Sequence, residues 1–310
     1  MDNKNILITG GLGFIGSHIA NMLVDTNKII IVDNLSTGNI NNINNPHHEN
    51  LTIINEDICD MDWNGIMEGV DYIFHLAAMA SVPLSVDKPV ECNEINLEAS
   101  VNLLKYAVDY NVKKVIFSSS AAVYGQNRNI PLKETEPLMP TSPYASSKAG
   151  CELYLKSFYE VYGLNYTILR YFNVFGPKQD KNSQYAAVIP NFINAFLEGN
   201  RPEIYGDGEQ TRDFVFVGDI AKANIFAAES GYNGIVNVAS GKKISINLLF
   251  NIIKNTLGSD LDAVYLPERQ GDIKHSLADV NNMEKINFKI DSNDFENQLI
   301  ETINWFKTVL

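Results

Sequence analysis

"NILITGGLGFIGSH", residues 5 to 18, runs from a β-branched stretch straight into Gly10-x-x-Gly13-x-x-Gly16 and then into an apolar-periodic segment. A strand, a tight turn and a helix in that order aim backbone N–H groups from a helix N-terminus, where a pyrophosphate can be held. A glycine triplet alone is a weak sign. Here the context is the required one, and Asp33 closes the next strand-like run, "KIIIVD" (28 to 33), about 20 residues on, where a carboxylate can bind an adenosine ribose diol. No Arg occurs in the following "NLSTG" to receive a 2′-phosphate, so Asp33 favours NAD over NADP.

Outward from that stretch, short β-branched runs alternate with segments of helical period. The strand candidates are "LTIINED" (51 to 57), "DYIFHLA" (71 to 77), "KKVIFSS" (113 to 119) and "NYTILRY" (165 to 171). Near-continuous Ile, Val and Leu suits strands covered on both faces, and the stretches between are long enough for crossover helices. The expected fold is α/β, a Rossmann-type doubly wound parallel sheet with a smaller C-terminal lobe. The lobe is expected to begin after "RYFNVFGP" (170 to 177), where Gly, Pro and Asn increase and the short strands "EIYG" (203 to 206) and "DFVFV" (213 to 217) appear. "GIVNVAS" (234 to 240) again reads as a buried strand returning to the main sheet. The domains are then interleaved: 1–172 with about 217–240 for NAD, and about 173–216 with 241–310 for a nucleotide sugar. No internal repeat is visible, and the Asn-rich "NINNINNPHHEN" (39 to 50) reads as a solvated loop.

Composition narrows the function classes. The 310 residues are 45% hydrophobic and 20% charged, with no uninterrupted apolar window that could span a bilayer. The start, "MDNKNILITG", leaves no room for a signal peptide, and the expected location is cytoplasmic. A net charge of −13 repels nucleic acid and anionic membranes, so neither is an expected partner. Cys59, Cys92 and Cys151 lack the count and spacing of a disulfide framework or zinc site; they read as buried thiols, and no metal is expected. Only five arginines occur, Arg128, Arg170, Arg201, Arg212 and Arg269.

"TSPYASSKAG" (141 to 150) spaces Tyr144 four residues before Lys148. With 14 Tyr among 310 residues, about one Tyr-x-x-x-Lys match is expected by chance, and a second one, Tyr110 to Lys114, does occur. Context separates them. Lys114 already belongs to the fifth strand, whereas Pro143 suits a first helical turn and Leu153, Phe158 and Val161 continue an apolar period beyond Lys148. Upstream, "FSSSAAVYG" (117 to 125) leaves three serines at the carboxyl end of the fifth strand, the edge where doubly wound sheets bind ligands. Asp57 and Ile58, after the third strand, are placed for the adenine, and a plain strand-end carboxylate fits that position equally well.

A glycine turn, a strand-end serine cluster and a helical Tyr-x-x-x-Lys together resemble the extended short-chain dehydrogenase/reductase superfamily, from Met1 to about Asp279. "DNLSTG" (33 to 38), "FHLAAMASVPLSVDKP" (74 to 89), "RYFNVFGPKQD" (170 to 180), "IYGDGEQTRDFVFVGDIA" (204 to 221) and "GDIKHSLAD" (271 to 279) narrow it to the NAD-dependent epimerase/dehydratase family and, within that, to enzymes resembling UDP-hexose 4-epimerases. The resemblance implies Ser120, Tyr144 and Lys148 as catalytic residues. It implies cofactor contacts at Gly10, Gly13, Phe14, Ile15, Gly16, Asp33, Asn34, Ser36, Thr37, Gly38, Asp57, Ile58, Leu76, Ala77, Ala78, Asn96, Ser118, Tyr144, Lys148 and Tyr171. Substrate contacts are implied at Ser81, Ser120, Tyr144, Asn173, Val188, Tyr205, Arg212, Arg269, Asp272 and Ser276. Two of the five arginines then fall where a diphosphate needs guanidinium forks.

Departures from relatives carry information too. Sugar 4,6-dehydratases of this superfamily have an Asp-Glu pair where this chain has Ala121 and Ala122, so the acid needed for dehydration is missing. Some epimerases have a Lys where Ala80 stands, which removes one expected hold on the cofactor phosphates. A uronate epimerase or reductase, and an NAD-binding regulatory protein without catalysis, are the alternatives. Relatives commonly dimerise through helices that here fall at about 90 to 110 and 144 to 162.

Overall fold

The structure, a computed structural model, describes residues 1–180, 187–268, 273–290 and 294–309. The chain opens with β1 (Asn5–Thr9), α1 (Phe14–Leu23), β2 (Lys28–Val32), β3 (Leu51–Ile54) and β4 (Tyr72–His75). Then come α2 (Val82–Asp87), α3 (Pro89–Asn93), a wide π-type turn over Glu94–Glu98, and α4 (Ala99–Asp109). β5 (Lys114–Ser120), α5 (Pro143–Tyr162) and β6 (Tyr166–Tyr171) follow. The remainder is β7 (Asn173–Phe175), α6 (Val188–Leu197), β8 (Glu203–Tyr205), β9 (Thr211–Arg212), β10 (Phe214–Phe216), α7 (Val217–Glu229), β11 (Gly234–Val238), β12 (Ile244–Ser245), α8 (Ile246–Leu257), β13 (Val264–Leu266) and α9 (Phe295–Val309).

Seven strands pair in the order β11-β6-β5-β4-β1-β2-β3, and every pairing is parallel. This is the doubly wound Rossmann-type sheet expected, and the run 234 to 238 does return to it, beside β6. Strand order reverses between β1 and β4, which opens a crevice at the carboxyl ends of those strands. One apolar core, with Ile6, Ile8, Ile19 and Phe74, lies under α1 and α7; another, with Leu7, Val115, Leu155 and Phe158, lies under α4 and α5. A third, with Phe175, Phe192, Phe214, Leu249 and Phe306, is built by α6, α8 and α9. Met283, Ile286 and Phe288, from the C-terminal stretch, pack into the first core rather than the third.

Two expectations are corrected, a buried Cys59 and a third strand reaching Asp57, and two others gain detail. Leu153 and Val161 are exposed, because α5 buries Cys151, Leu155 and Phe158 on its other flank; a 3.6-residue period gives a helix but not the side that packs. The Asn-rich stretch is largely exposed, as expected, and is also tied down: Asn39 N and Asn42 Nδ2 both donate to Leu12 O, at 3.0 and 2.8 Å, so it straps the glycine turn. Cys59 is exposed, beyond the end of β3, while Cys92 and Cys151 are buried. β3 itself ends at Ile54, which leaves Asp57 in the following loop.

Candidate active site

Gly10 sits at φ +69, and a Cβ there would lie 2.8 Å from Ala77 N. At Gly16 a Cβ would collide with Gly10 O, so the turn closes only with glycine. Gly13 is the N-cap of α1 and brings no capping side chain, and the first turn of α1, with Phe14 and Ile15, has no acidic residue. The N-terminus therefore offers its N–H groups and the positive end of the helix dipole to an anion. Asp33, buried after β2, accepts from Leu12 N and Leu35 N at 2.9 Å each, which ties its carboxylate to the glycine turn. Asn34, Ser36, Thr37 and Gly38 continue that loop. Asn34 Nδ2 donates to Asp57 Oδ2 at 2.7 Å, joining it to the Asp57–Ile58 loop. Burial acts to raise the Asp57 carboxyl, but hydrogen bonds from Cys59 and Asn34 outweigh it and hold the group below its ordinary value. Glycine turn, open helix end and buried Asp33 fit a dinucleotide.

Leu76, Ala77 and Ala78 leave β4 on the opposite side of the crevice. A buried chain of hydrogen bonds fixes them: Ala77 N donates to Thr9 Oγ1 (3.3 Å), Thr9 Oγ1 meets His75 Nδ1 (2.6 Å), and His75 Nε2 meets Ser100 Oγ (2.7 Å). Ser100 Oγ donates to Asn96 O (2.5 Å), so His75 carries its proton on Nε2 and receives from Thr9. Burial takes His75 down to about 3, which keeps it neutral. Asn96 stands in the π-type turn, and its side chain accepts from Met79 N (2.7 Å) and donates to Ser147 Oγ (3.0 Å). Ser147 Oγ in turn donates to Tyr144 O at 2.8 Å. Asn96 thus joins the 76–79 segment to the first turn of α5, a linkage that no local motif announces.

α5 starts where the sequence suggests. Ser142 caps it by accepting from Ala145 N at 3.2 Å, Pro143 occupies the first turn, and Gly163 ends it in the left-handed conformation. Tyr144 and Lys148 lie one turn apart on the face toward β5, and Tyr144 N is held by Ser85 Oγ at 3.1 Å. Lys148 Nζ donates to Ser118 O at 2.9 Å and sits 4.8 Å from the centre of the Phe117 ring. Burial pushes the Tyr144 phenol up, and a hydrogen bond with Ser120 draws it partly back. Burial likewise brings the Lys148 ammonium down to about 8. Ser120 ends β5 and caps the short turn Ala121–Tyr124, accepting from Ala122 N at 3.2 Å. Ser118 Oγ and the Tyr171 hydroxyl bond each other at 2.9 Å, and Tyr171 also bonds Asn224, so these two hydroxyls serve an internal cluster. The second match behaves as its context predicts: Tyr110 caps α4 and donates to Asn64, while the buried Lys114 ammonium donates to Ala227 O, Ser230 O and Tyr232 O.

Beyond β6 opens a cleft of about 410 Å³. Asn173, Val188, Tyr205 and Arg212 line it, together with Gln210 and Glu203, which sequence reasoning missed although Gln210 lies inside the quoted 204–221 stretch. Ser276 N donates to Thr211 O at 3.0 Å, which sets Ser276 beside Arg212. Ser81 caps α2 by accepting from Leu84 N at 3.2 Å. Arg269 and Asp272 lie outside the described residues. Among the described residues no His, Cys, Asp or Glu group could hold a metal ion, and no helix is long and apolar enough to cross a membrane.

A glycine turn that fits a dinucleotide and a half-buried Tyr144 paired with buried Lys148, at the carboxyl edge of one sheet, are equipment for nicotinamide-dependent redox chemistry at an alcohol carbon. The chain belongs to the NAD dependent epimerase/dehydratase family, which it matches over residues 6–239. It is 61% identical to a UDP-N-acetylglucosamine 4-epimerase from Methanobrevibacter ruminantium solved in complex with UDP-N-acetylmuramic acid, with a TM-score of 0.99 and 100% of each chain covered. A Thermotoga maritima UDP-glucose 4-epimerase solved with UDP-glucose is 39% identical, with a TM-score of 0.91 over 98% of this chain and 99% of the other. A putative UDP-glucose 4-epimerase of Methanocaldococcus jannaschii is 42% identical over 97% of this chain and 98% of its own length.

Proposed function

We propose that the protein is an isomerase that inverts C4 of UDP-hexoses, UDP-N-acetylglucosamine and UDP-N-acetylgalactosamine foremost and UDP-glucose and UDP-galactose alongside. The observation that supports the reading is the Tyr144–Lys148 couple on α5, with Tyr144 bonded to Ser120 and Lys148 to Ser118 O, at the carboxyl edge of the sheet that also carries the glycine turn and Asp33. Bound NAD supplies the reversible hydride acceptor at C4. Gly10, Gly13 and Gly16 would hold its diphosphate at the N-terminus of α1, and Asp33 would hold its adenosine ribose. Tyr144 takes the proton of the sugar 4-hydroxyl and Ser120 positions that oxygen, so C4 becomes a ketone as it gives up its hydride. Lys148 makes the phenolate accessible near neutral pH. Asn173, Arg212 and Arg269 keep the UDP part anchored while the ketone presents its other face, C4 regains the hydride on that face as Tyr144 returns the proton to the oxygen, and the configuration inverts with no net redox change.

Residues 1–172 with about 217–240 form the NAD-binding domain in this reading. Residues 173–216 with 241–310 form the nucleotide-sugar lobe, with 283–288 seated against the first core. The protein acts in the cytoplasm as a homodimer. Support for the dimer comes from the outer flanks of α3 and α5, packed neighbours on which Val90 (68%) and Val161 (69%) are exposed.

The test is incubation of the NAD-loaded protein with UDP-N-acetylglucosamine, UDP-glucose and UDP-glucuronate separately, with products identified by NMR. C4 epimers of the first two without accumulation of free NADH are expected. Stoichiometric NADH, or turnover of the uronate alone, overturns the reading.

A further inference from the structure

Arg170 differs from Arg128, Arg201 and Arg212 in being buried, at 1% exposure, opposite the fully buried Glu152. The fork is bidentate: Nη2 donates to Glu152 Oε2 at 2.6 Å and Nε to Oε1 at 2.9 Å. Oε1 also accepts from Ser119 Oγ at 2.6 Å. The remaining donor, Nη1, reaches Glu134 O at 3.2 Å, and the guanidinium lies 4.7 Å from the centre of the Tyr124 ring. Each partner belongs to a different piece of the site. Glu152 is on α5, four residues after Lys148 and eight after Tyr144, on the same helix face. Ser119 immediately precedes Ser120 on β5. Arg170 is on β6, and Tyr124 ends the short turn that Ser120 caps.

A buried ion pair is a weak source of stability, because desolvation offsets most of its attraction. What a rigid, planar, two-bond fork does supply is registry. Lys148 and Glu152 stand at i and i+4, the spacing at which a lysine and a glutamate pair along a helix. With both oxygens of Glu152 taken by Arg170, the Lys148 ammonium is left to Ser118 O.

Resting on the epimerase reading above, we infer that Glu152 and Arg170 are positioning residues for the reaction. The Glu152 carboxylate, held by the Arg170 fork and bonded by Ser119, fixes the helix carrying Tyr144 and Lys148 against the strand end carrying Ser120, and the fork keeps Lys148 from turning toward Glu152. Misplacing reacting groups by about 1 Å costs up to about 10²-fold in rate.

The experiment compares NAD-loaded parent, Ser119→Ala and Arg170→Lys for kcat, KM for UDP-N-acetylglucosamine, UDP affinity and melting temperature. We expect kcat to fall about 10-fold in Ser119→Ala and about 10²-fold in Arg170→Lys, with KM and UDP affinity held. A kcat close to that of the parent in either folded variant overturns the inference. So does a joint loss of kcat, KM and melting temperature in Ser119→Ala, which indicates a merely structural role. If Arg170→Lys does not fold, Ser119→Ala decides alone, since it removes one hydroxyl and leaves the ion pair. An inactive parent refutes the epimerase reading and the inference with it, whereas an active parent with unaffected variants refutes only the inference.

Discussion

Replacing Lys148 by Met removes the cation beside Tyr144 while keeping a long unbranched chain against Phe117. In the parent, burial raises the phenol and the Ser120 hydrogen bond draws it only partly back, so phenolate near pH 7 needs a further stabilising charge, the role proposed for Lys148. For a charge separation of about 6 Å and an effective dielectric near 20, one cation lowers the cost of phenolate by about 3 kcal/mol, roughly two pK units. Burial brings Lys148 to about 8, so the charge is largely present at pH 7 and is lost as pH rises through that value. The expected result is a kcat about 10²-fold lower in Lys148→Met at pH 7, with the deficit shrinking toward about pH 9 to 10 as the phenol ionises unaided. The assay is chromatographic separation of UDP-N-acetylglucosamine from its C4 epimer across that pH range, with NAD content measured on every sample so that lost cofactor is not counted as lost chemistry. A deficit that is the same at every pH, or one fully explained by missing NAD, refutes the electrostatic role.

Tyr144→Phe removes the proton acceptor and should cost about 10²-fold or more in kcat, while Tyr110→Phe, which loses only a 3.0 Å bond to exposed Asn64, should leave kcat unchanged; parallel turnover assays check both. Ser276→Tyr, beside Arg212, should slow the N-acetylated substrates by about 1 to 3 kcal/mol while sparing UDP-glucose, and equal slowing of both classes would remove Ser276 as a gate. Outside the site, burial lowers Lys114 from 10.5 to about 8. Between those values the unfolded chain binds more protons, so parental stability should rise with pH relative to Lys114→Met, by up to about 3 kcal/mol; denaturant midpoints at about pH 7 and 9.5 measure it, and a constant difference means that the three carbonyl contacts offset the burial.

The parts of this molecule legible in the sequence are those whose determinants are local. β-branched runs such as "NILIT" announce buried strands, and Gly10, Gly13 and Gly16 carry their turn within seven residues. Tyr144 and Lys148 share one helical turn, and Ser142 with Pro143 marks where that helix begins. Nothing local tells Glu152 that it faces Arg170, which lies 18 residues on in another element. Nor does the periodicity of α5 say which flank is buried: Leu153 and Val161 continue the apolar period yet are exposed. The stretch 39 to 50 is largely exposed, as it reads, but the convergence of Asn39 N and Asn42 Nδ2 on Leu12 O is set only once the fold is complete.

The edge position of β11 bears on how the chain emerges during synthesis. Six strands of the sheet are available once Tyr171 is made, but β6, buried along all six of its residues in the finished fold, keeps an unpaired edge until Val238 arrives. Those positions are 67 residues apart (238 less 171), a gap that translation crosses in about 3 to 13 s. For that interval a long apolar strand edge is open to pairing with a neighbouring nascent chain. Shielding of that edge during synthesis is a demand set by the topology alone.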